Sequence, residues 1–185
     1  MKLSIVSTLY NSSDYIKEFL QKITAVAEKI APNGYEIILV NDSSPDNSLN
    51  IAKKYLKVYK NLRLIDLSRN FGQHIALMAG IEQAKGDLIY ITDTDLEEDP
   101  DWLSDFYNRI CNSPYDLVYG YQKSRKGSFL EKFSGLMFWK IFNTLSGYRL
   151  MENSVITRLF TKRYAKSLLD FKEKEIFIGS IFILN

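Results

Sequence analysis

Short apolar runs of strand length recur along the chain at Leu3 to Ser7, Glu36 to Val40, Leu62 to Leu67, Leu88 to Thr92 and Leu117 to Gly120. Between them the apolar positions change to helical spacing. Ile16, Phe19, Leu20, Ile23, Ala27 and Ile30 form one such stripe, which stops before Pro32-Asn33-Gly34. Further helices are predicted over about 47–59, 73–85 and 100–111. Strand and helix in strict alternation predict an α/β fold, with a mostly parallel, Rossmann-like sheet flanked by helices on both faces. No internal repeat or low-complexity stretch interrupts the pattern.

Ligands of such sheets bind at the carboxyl ends of the strands. The residues there are Thr8-Leu9-Tyr10-Asn11, Asn41-Asp42-Ser43-Ser44, Ser68-Arg69-Asn70-Phe71-Gly72, Asp93-Thr94-Asp95 and Tyr121 to Arg125. Polar and charged groups from five loops therefore converge on one rim. Composition adds bounds. The chain has 185 residues, 46% of them apolar and 25% charged, which suits a globular unit of one domain or slightly more. Its net charge of +2 carries no nucleic-acid signature. A single cysteine, Cys111, excludes an internal disulfide framework and predicts a reducing compartment. The N-terminus runs straight into a strand, which predicts no secretory leader, and no apolar run reaches the roughly 20 residues of a membrane span. The apolar end from Ile176 to Asn185 predicts that further chain follows and covers it.

The sharpest chemistry lies in Asp93-Thr94-Asp95, where the fourth apolar run stops. Carboxylates this close repel unless a cation sits between them, and a divalent ion carrying a diphosphate is one resolution. The same residues also suit a cap for the helix opening near Asp99-Pro100. An EF-hand is excluded because Glu98 stands where its turn needs glycine. Neither G-x-G-x-x-G after the first strand nor G-x-x-x-x-G-K-[ST] occurs. Asp42 suits a base or ribose hydrogen bond as well as a turn, and His74 suits packing or hydrogen bonding better than catalysis. No Ser-His-Asp or Cys-His set supports covalent catalysis.

Taken together, Thr8 to Asn11, Val40 to Asp46, Arg69-Asn70-Phe71-Gly72-Gln73, Ala84-Lys85-Gly86-Asp87 and Asp93 to Leu96 resemble family 2 glycosyltransferases over nearly the whole chain. The branch most similar is that of dolichol-phosphate mannosyltransferases and bacterial polyprenyl-phosphate sugar transferases. The resemblance implies a GT-A fold and inverting sugar transfer from a UDP-, GDP- or dTDP-linked donor. By position it implies that Leu9, Asp42 and Asp93 hold the nucleoside with Tyr10 near the base. Asn11, Arg69, Gly72 and Thr94 complete the donor rim. Asp95, with Asp93 beside it, would ligate Mg²⁺ or Mn²⁺ bridging the diphosphate. Glu97 stands where the family often has Gln and places an extra carboxylate near the donor, while Arg125 and Arg158 would steady phosphate. One departure stands out. Ile156 occupies a position, two residues before Arg158, where many relatives carry Asp. Either the acceptor is already an anion, as a lipid phosphate is, or the base is Glu97, Glu98, Glu175 or a residue beyond Asn185.

From Arg125 to Arg149 cations alternate with Phe129, Phe133, Phe138, Trp139 and Phe142. Such a segment divides between core packing and a bilayer surface. The expected organisation is one catalytic domain over 1–185, with a nucleotide-sugar half at 1–124 and an acceptor and membrane-proximal part at 125–185. The expected location is cytoplasmic, peripheral on the inner membrane face. A soluble transferase acting on a polysaccharide hydroxyl and a binding module without turnover are the alternatives.

Overall fold

The computed structural model describes residues 2–32, 34–121 and 154–170. Strand β1 (Leu3–Leu9) is buried along its whole length, as a central strand covered on both faces must be. Around it, β2 (Tyr35–Asn41), β3 (Leu62–Asp66), β4 (Leu88–Ile91), β5 (Leu117–Tyr121) and β6 (Ser154–Thr161) form one sheet in the order β3-β2-β1-β4-β6-β5. The first four strands pair in parallel, with Leu3 opposite both Tyr35 and Leu88. β6 alone runs the other way, antiparallel to β4 and to β5. The sheet is therefore mostly parallel, as the alternating pattern predicts.

Period-two alternation sends the two sides of each strand into different cores. Leu3, Ile5, Leu9, Ile37, Leu39, Leu88, Tyr90 and Leu159 pack under α1 (Ile16–Ile30), α2 (Ser48–Tyr55) and α4 (Trp102–Cys111). Val6, Ile38, Val40, Ile89, Ile91 and Phe160 pack under α3 (Gln73–Glu82) and α5 (Lys162–Leu169). Tyr90, fully buried, meets Phe106 of α4 edge-on with ring centroids 6.2 Å apart. Helix α3 comes so close to the sheet that a Cβ on Gly80 would lie 2.3 Å from Val6 Cγ1.

Two elements show most clearly where the structure departs from the sequence pattern. Helix α2 ends at Tyr55 rather than near 59, because the chain folds into tight turns to enter β3, with the Val58 N–H on the Tyr55 carbonyl and the Leu62 N–H on the Tyr59 carbonyl. Strand β6 has no counterpart among the predicted strands. Its middle, Thr157-Arg158, is polar yet buried, which hides a strand from hydrophobic pattern alone. The expected organisation into halves is untouched by this, since residues 122–153 and 171–185, with Arg125, the aromatic segment and Glu175, lie outside the described residues.

The amino ends of the strands are tied by Glu36. It accepts hydrogen bonds from Ser4 Oγ (2.7 Å), the Lys85 N–H (2.6 Å) and Arg63 Nη1 (2.8 Å). Burial pushes its carboxyl up, but the bonds from Arg63, Ser4 and Lys85 outweigh this and hold it below the usual range. That leaves the opposite end of the sheet for chemistry.

Candidate active site

Four adjacent strands each end in a loop with one left-handed residue: Asn11 after β1, Ser43 after β2, Gly72 after β3 and Leu96 after β4, with φ of 52°, 52°, 90° and 62°. These are all the positive-φ residues among the described ones. A leucine in this region is strained by about 1–3 kcal/mol, and strain of this kind gathers where a surrounding structure fixes a functional loop. Between the four loops opens a cleft of about 600 Å³.

Buried polar contacts set the loop positions. Asp46 accepts from Ser44 Oγ at 2.6 Å and from the N–H groups of Ser48 and Ser13 at 2.9 Å. Burial opposes its ionisation, yet these serine bonds win and hold its carboxyl well below the usual range. The Asn11 N–H donates to Ser44 Oγ and the Ser12 N–H to Ser48 Oγ, so the ends of β1 and β2 are laced together. The sequence shows Asp46 only as part of a turn; its role as the knot of two loops depends on pairings 33 residues apart.

Asp42, 2% exposed, lines the cleft and already serves the fold: its oxygens accept the Phe71 N–H at 2.8 Å and the Gly72 N–H at 2.9 Å. Gly72 holds the turn with a φ that side chains resist and nothing within 4 Å of where a Cβ would stand. The next residue, Gln73, opens α3 and donates its amide to Asp93 Oδ1 at 2.6 Å. Thr94 is 2% exposed, and its hydroxyl donates to the Thr8 carbonyl at 2.9 Å while lying 2.7 Å from Ser7 Oγ. Pinned at its centre, the Asp93-Thr94-Asp95 step holds Asp93 half-buried and Asp95 in solvent.

The electrostatics are one-sided. Asp42, Asp93, Asp95 and Glu97 line the cleft, and among the described residues no Lys, Arg or His joins them there. Burial, then the charges of Asp95 and Glu97, push Asp93 up to about 6 against the opposing Gln73 bond. Glu98, beside them, is pushed up to about 7 by burial and by Asp93, Asp95 and Glu97. Among the described residues, an anion entering this cleft meets carboxylates with no cation beside them. Two hard carboxylate oxygens in an open cleft fit Mg²⁺ or Mn²⁺, which take one or two carboxylates and complete their shells with phosphate and water. No set of three or more acidic, His or Cys side chains is placed to hold a metal among the described residues.

The cleft gathers Tyr10, Asn11, Asp42, Gly72, Asp93, Thr94, Asp95 and Glu97 from the sequence-predicted residues. It does not gather all of them. The Leu9 side chain is fully buried in the core beneath α1, so only its backbone reaches the rim, its carbonyl accepting the Asp42 N–H. Arg69 is exposed outside the cleft lining, its guanidinium 4.7 Å from the Phe71 ring centroid. Arg158 is 5% exposed in the middle of β6. Its neighbours across the sheet are Ile91 and Tyr119, and burial pulls its pKa to about 10. Its side chain is buried and is not among the residues that line the cleft. Arg125 lies outside the described residues. Ser12 and Tyr15 line the cleft without having been singled out, and Gln73, quoted only within its motif, lines it too; its contact with Asp93 at the end of β4 is invisible in sequence.

Residues 4–183 match the family model described as Glycosyl transferase family 2. The chain belongs to that family. A Mycobacterium tuberculosis protein described as a glycosyltransferase is 40% identical over 182 residues, covering 98% of this chain and 53% of the relative. The undecaprenyl-phosphate 4-deoxy-4-formamido-L-arabinose transferase of Shewanella sediminis is 30% identical over 177 residues, 95% of this chain and 53% of its own length. Among solved structures, the mannosyltransferase PcManGT of Pyrobaculum calidifontis, in complex with GDP-Man and Mn²⁺, superposes with a TM-score of 0.66 at 15% identity over 95% of this chain and 48% of that one. The family 2 chain thus has the GT-A fold, and it spans about half the length of the relatives it matches.

Proposed function

We propose that this family 2 chain is the donor-binding and catalytic part of an inverting glycosyltransferase that moves a sugar from a nucleoside diphosphate to a polyprenyl phosphate. The observation that carries the reading is the cleft itself, which among the described residues has four carboxylates and no basic side chain, at the carboxyl ends of a parallel sheet. A divalent ion would let such a rim take a diphosphate. Asp95 and Asp93 would hold that ion, Mg²⁺ or Mn²⁺, which when bound stabilises the charge that develops on the departing diphosphate. The rest falls to the chain. Asp42, through the Phe71 and Gly72 N–H groups, keeps the nucleoside wall in place, and Tyr10, 49% exposed, offers a ring to the base. The Thr94 anchor fixes the backbone between Asp93 and Asp95, so their spacing is set before an ion binds.

A phosphate acceptor is an anion at neutral pH and needs no base, consistent with Ile156 packed toward the α3–α5 core where many relatives carry Asp. The transferase of Shewanella sediminis, by its name, acts on undecaprenyl phosphate. No helix among the described residues is long and apolar enough to cross a membrane, and we place the protein peripherally on the cytoplasmic face, beside its lipid acceptor. Glu98 favours a second reading. A carboxyl pushed up to about 7 beside the cleft suits proton removal from a sugar hydroxyl. The deciding experiment gives the protein a panel of nucleotide sugars with polyprenyl phosphate in vesicles or with a soluble saccharide. Metal-dependent formation of polyprenyl-phosphate sugar supports the first reading, and transfer to the saccharide alone overturns it.

A further inference from the structure

Asp93 faces a conflict in this cleft. It is crowded by burial and by Asp95 and Glu97, and among the described residues no basic side chain lines the cleft to relieve it. What it does have is the Gln73 amide, 2.6 Å from Oδ1. That amide arrives there by a chain of contacts that starts two strands away. Asp42, at the end of β2, takes the Phe71 and Gly72 N–H groups. Gly72 then turns at φ 90° and α3 begins at once with Gln73, whose side chain reaches over the end of β1 to β4. The contact is therefore set by the same carboxylate that shapes the nucleoside wall.

We propose that Gln73 is a positioning residue for the donor: it pins Oδ1 of Asp93 and leaves Oδ2 to face the bound nucleoside diphosphate and its cation. The inference rests on the donor-site reading above and adds a residue to it. An amide suits the task where a lysine would not. It orients the carboxylate without neutralising it, so the charge of Asp93 stays available to the cation. It also fixes a side chain that would otherwise rotate between several rotamers, a freedom that binding would have to remove. Leucine at this position keeps the bulk and the helix start but offers no donor, because α3 opens on backbone geometry set by Gly72 and Asp42.

The experiment is a double-variant cycle read by calorimetric binding of UDP and GDP in Mn²⁺, using wild type, Gln73→Leu, Asp93→Asn and the pair. Gln73→Leu is expected to weaken binding of the preferred nucleotide at least fivefold while leaving the melting temperature in place. Adding it to Asp93→Asn is expected to change affinity less than twofold, since the group it positions has already lost its charge. Equal losses in both backgrounds, or no loss in either, overturn the proposal; a purely structural role would give the former. Should Gln73→Leu fail to fold, Gln73→Asn, too short to reach Asp93, replaces it in the same cycle. A wild-type protein that binds neither nucleotide removes the donor-site reading and this inference with it, whereas wild-type binding with an indifferent Gln73 removes only the inference.

Discussion

Thr94 stands at the centre of the acidic step, yet its hydroxyl is spent inside the protein. Its proton goes to the Thr8 carbonyl, so the Ser7 hydroxyl must donate to it in turn. Thr94→Val preserves shape but strands both partners in a buried place. It should cost about 1–3 kcal/mol in chemical denaturation, where a residue that only touched ligand would cost almost nothing. The crowded carboxyls give a second residue-level expectation. Asp93 at about 6 and Glu98 at about 7 both lie above their unfolded values, so the folded protein retains protons that the unfolded chain has released. Their contribution to stability is thus fully present below about pH 4 and lost as pH rises toward 7. His74, pushed down by burial and by the Arg158 charge, works in the opposite sense, and Glu36, Asp46 and Asp116, held low, matter only as pH falls below about 4. The clean observable is a difference. Without metal, Asp93→Asn should gain melting temperature relative to wild type as pH is raised from 5 to 7.5, and a constant offset in calorimetric scans would refute the crowding.

Among elements, α3 is the one that joins core to cleft. Its Gly80 has Val6 Cγ1 at 2.3 Å and Val40 Cγ2 at 3.0 Å from any added Cβ, both from central strands. Alanine ordinarily favours a helix by about 1 kcal/mol over glycine. Here overpacking by about 1–3 kcal/mol should win, and Gly80→Ala should unfold at lower denaturant. A Val6→Ala partner, which opens the space, should return part of the loss; no recovery would mean that the close approach is not the cause. The elements also show what sequence reveals. β1 to β4 announce themselves as apolar runs because parallel strands are wrapped in helices on both faces, and β5, the half-buried edge strand, shows a shorter run. β6 does not, because Thr157 bonds Thr92 across the sheet and Arg158 sits buried between β4 and β5. The rim loops are legible from strand ends alone. The use of Asp42 as a latch for Gly72, and the reach of Gln73 to Asp93, depend on pairings 30 and 20 residues apart and have no local signal.

For the molecule as a whole, the fold and family membership leave one question that outranks the rest: whether the acidic cleft is a metal-dependent donor site. The described rim supports that reading, since a diphosphate brought there without a cation would meet four carboxylates. A ligand that binds only the native state raises its stability by an amount set by concentration over Kd. The direct measurement is therefore the thermal shift of wild type and Asp95→Asn with UDP-, GDP- and dTDP-sugars, each with Mn²⁺ and with chelator. At least one donor is expected to raise the wild-type melting temperature only when Mn²⁺ is present, and Asp95→Asn, folded as well as wild type, is expected to lose that shift. A shift of equal size in chelator, or one that survives in Asp95→Asn, would contradict it.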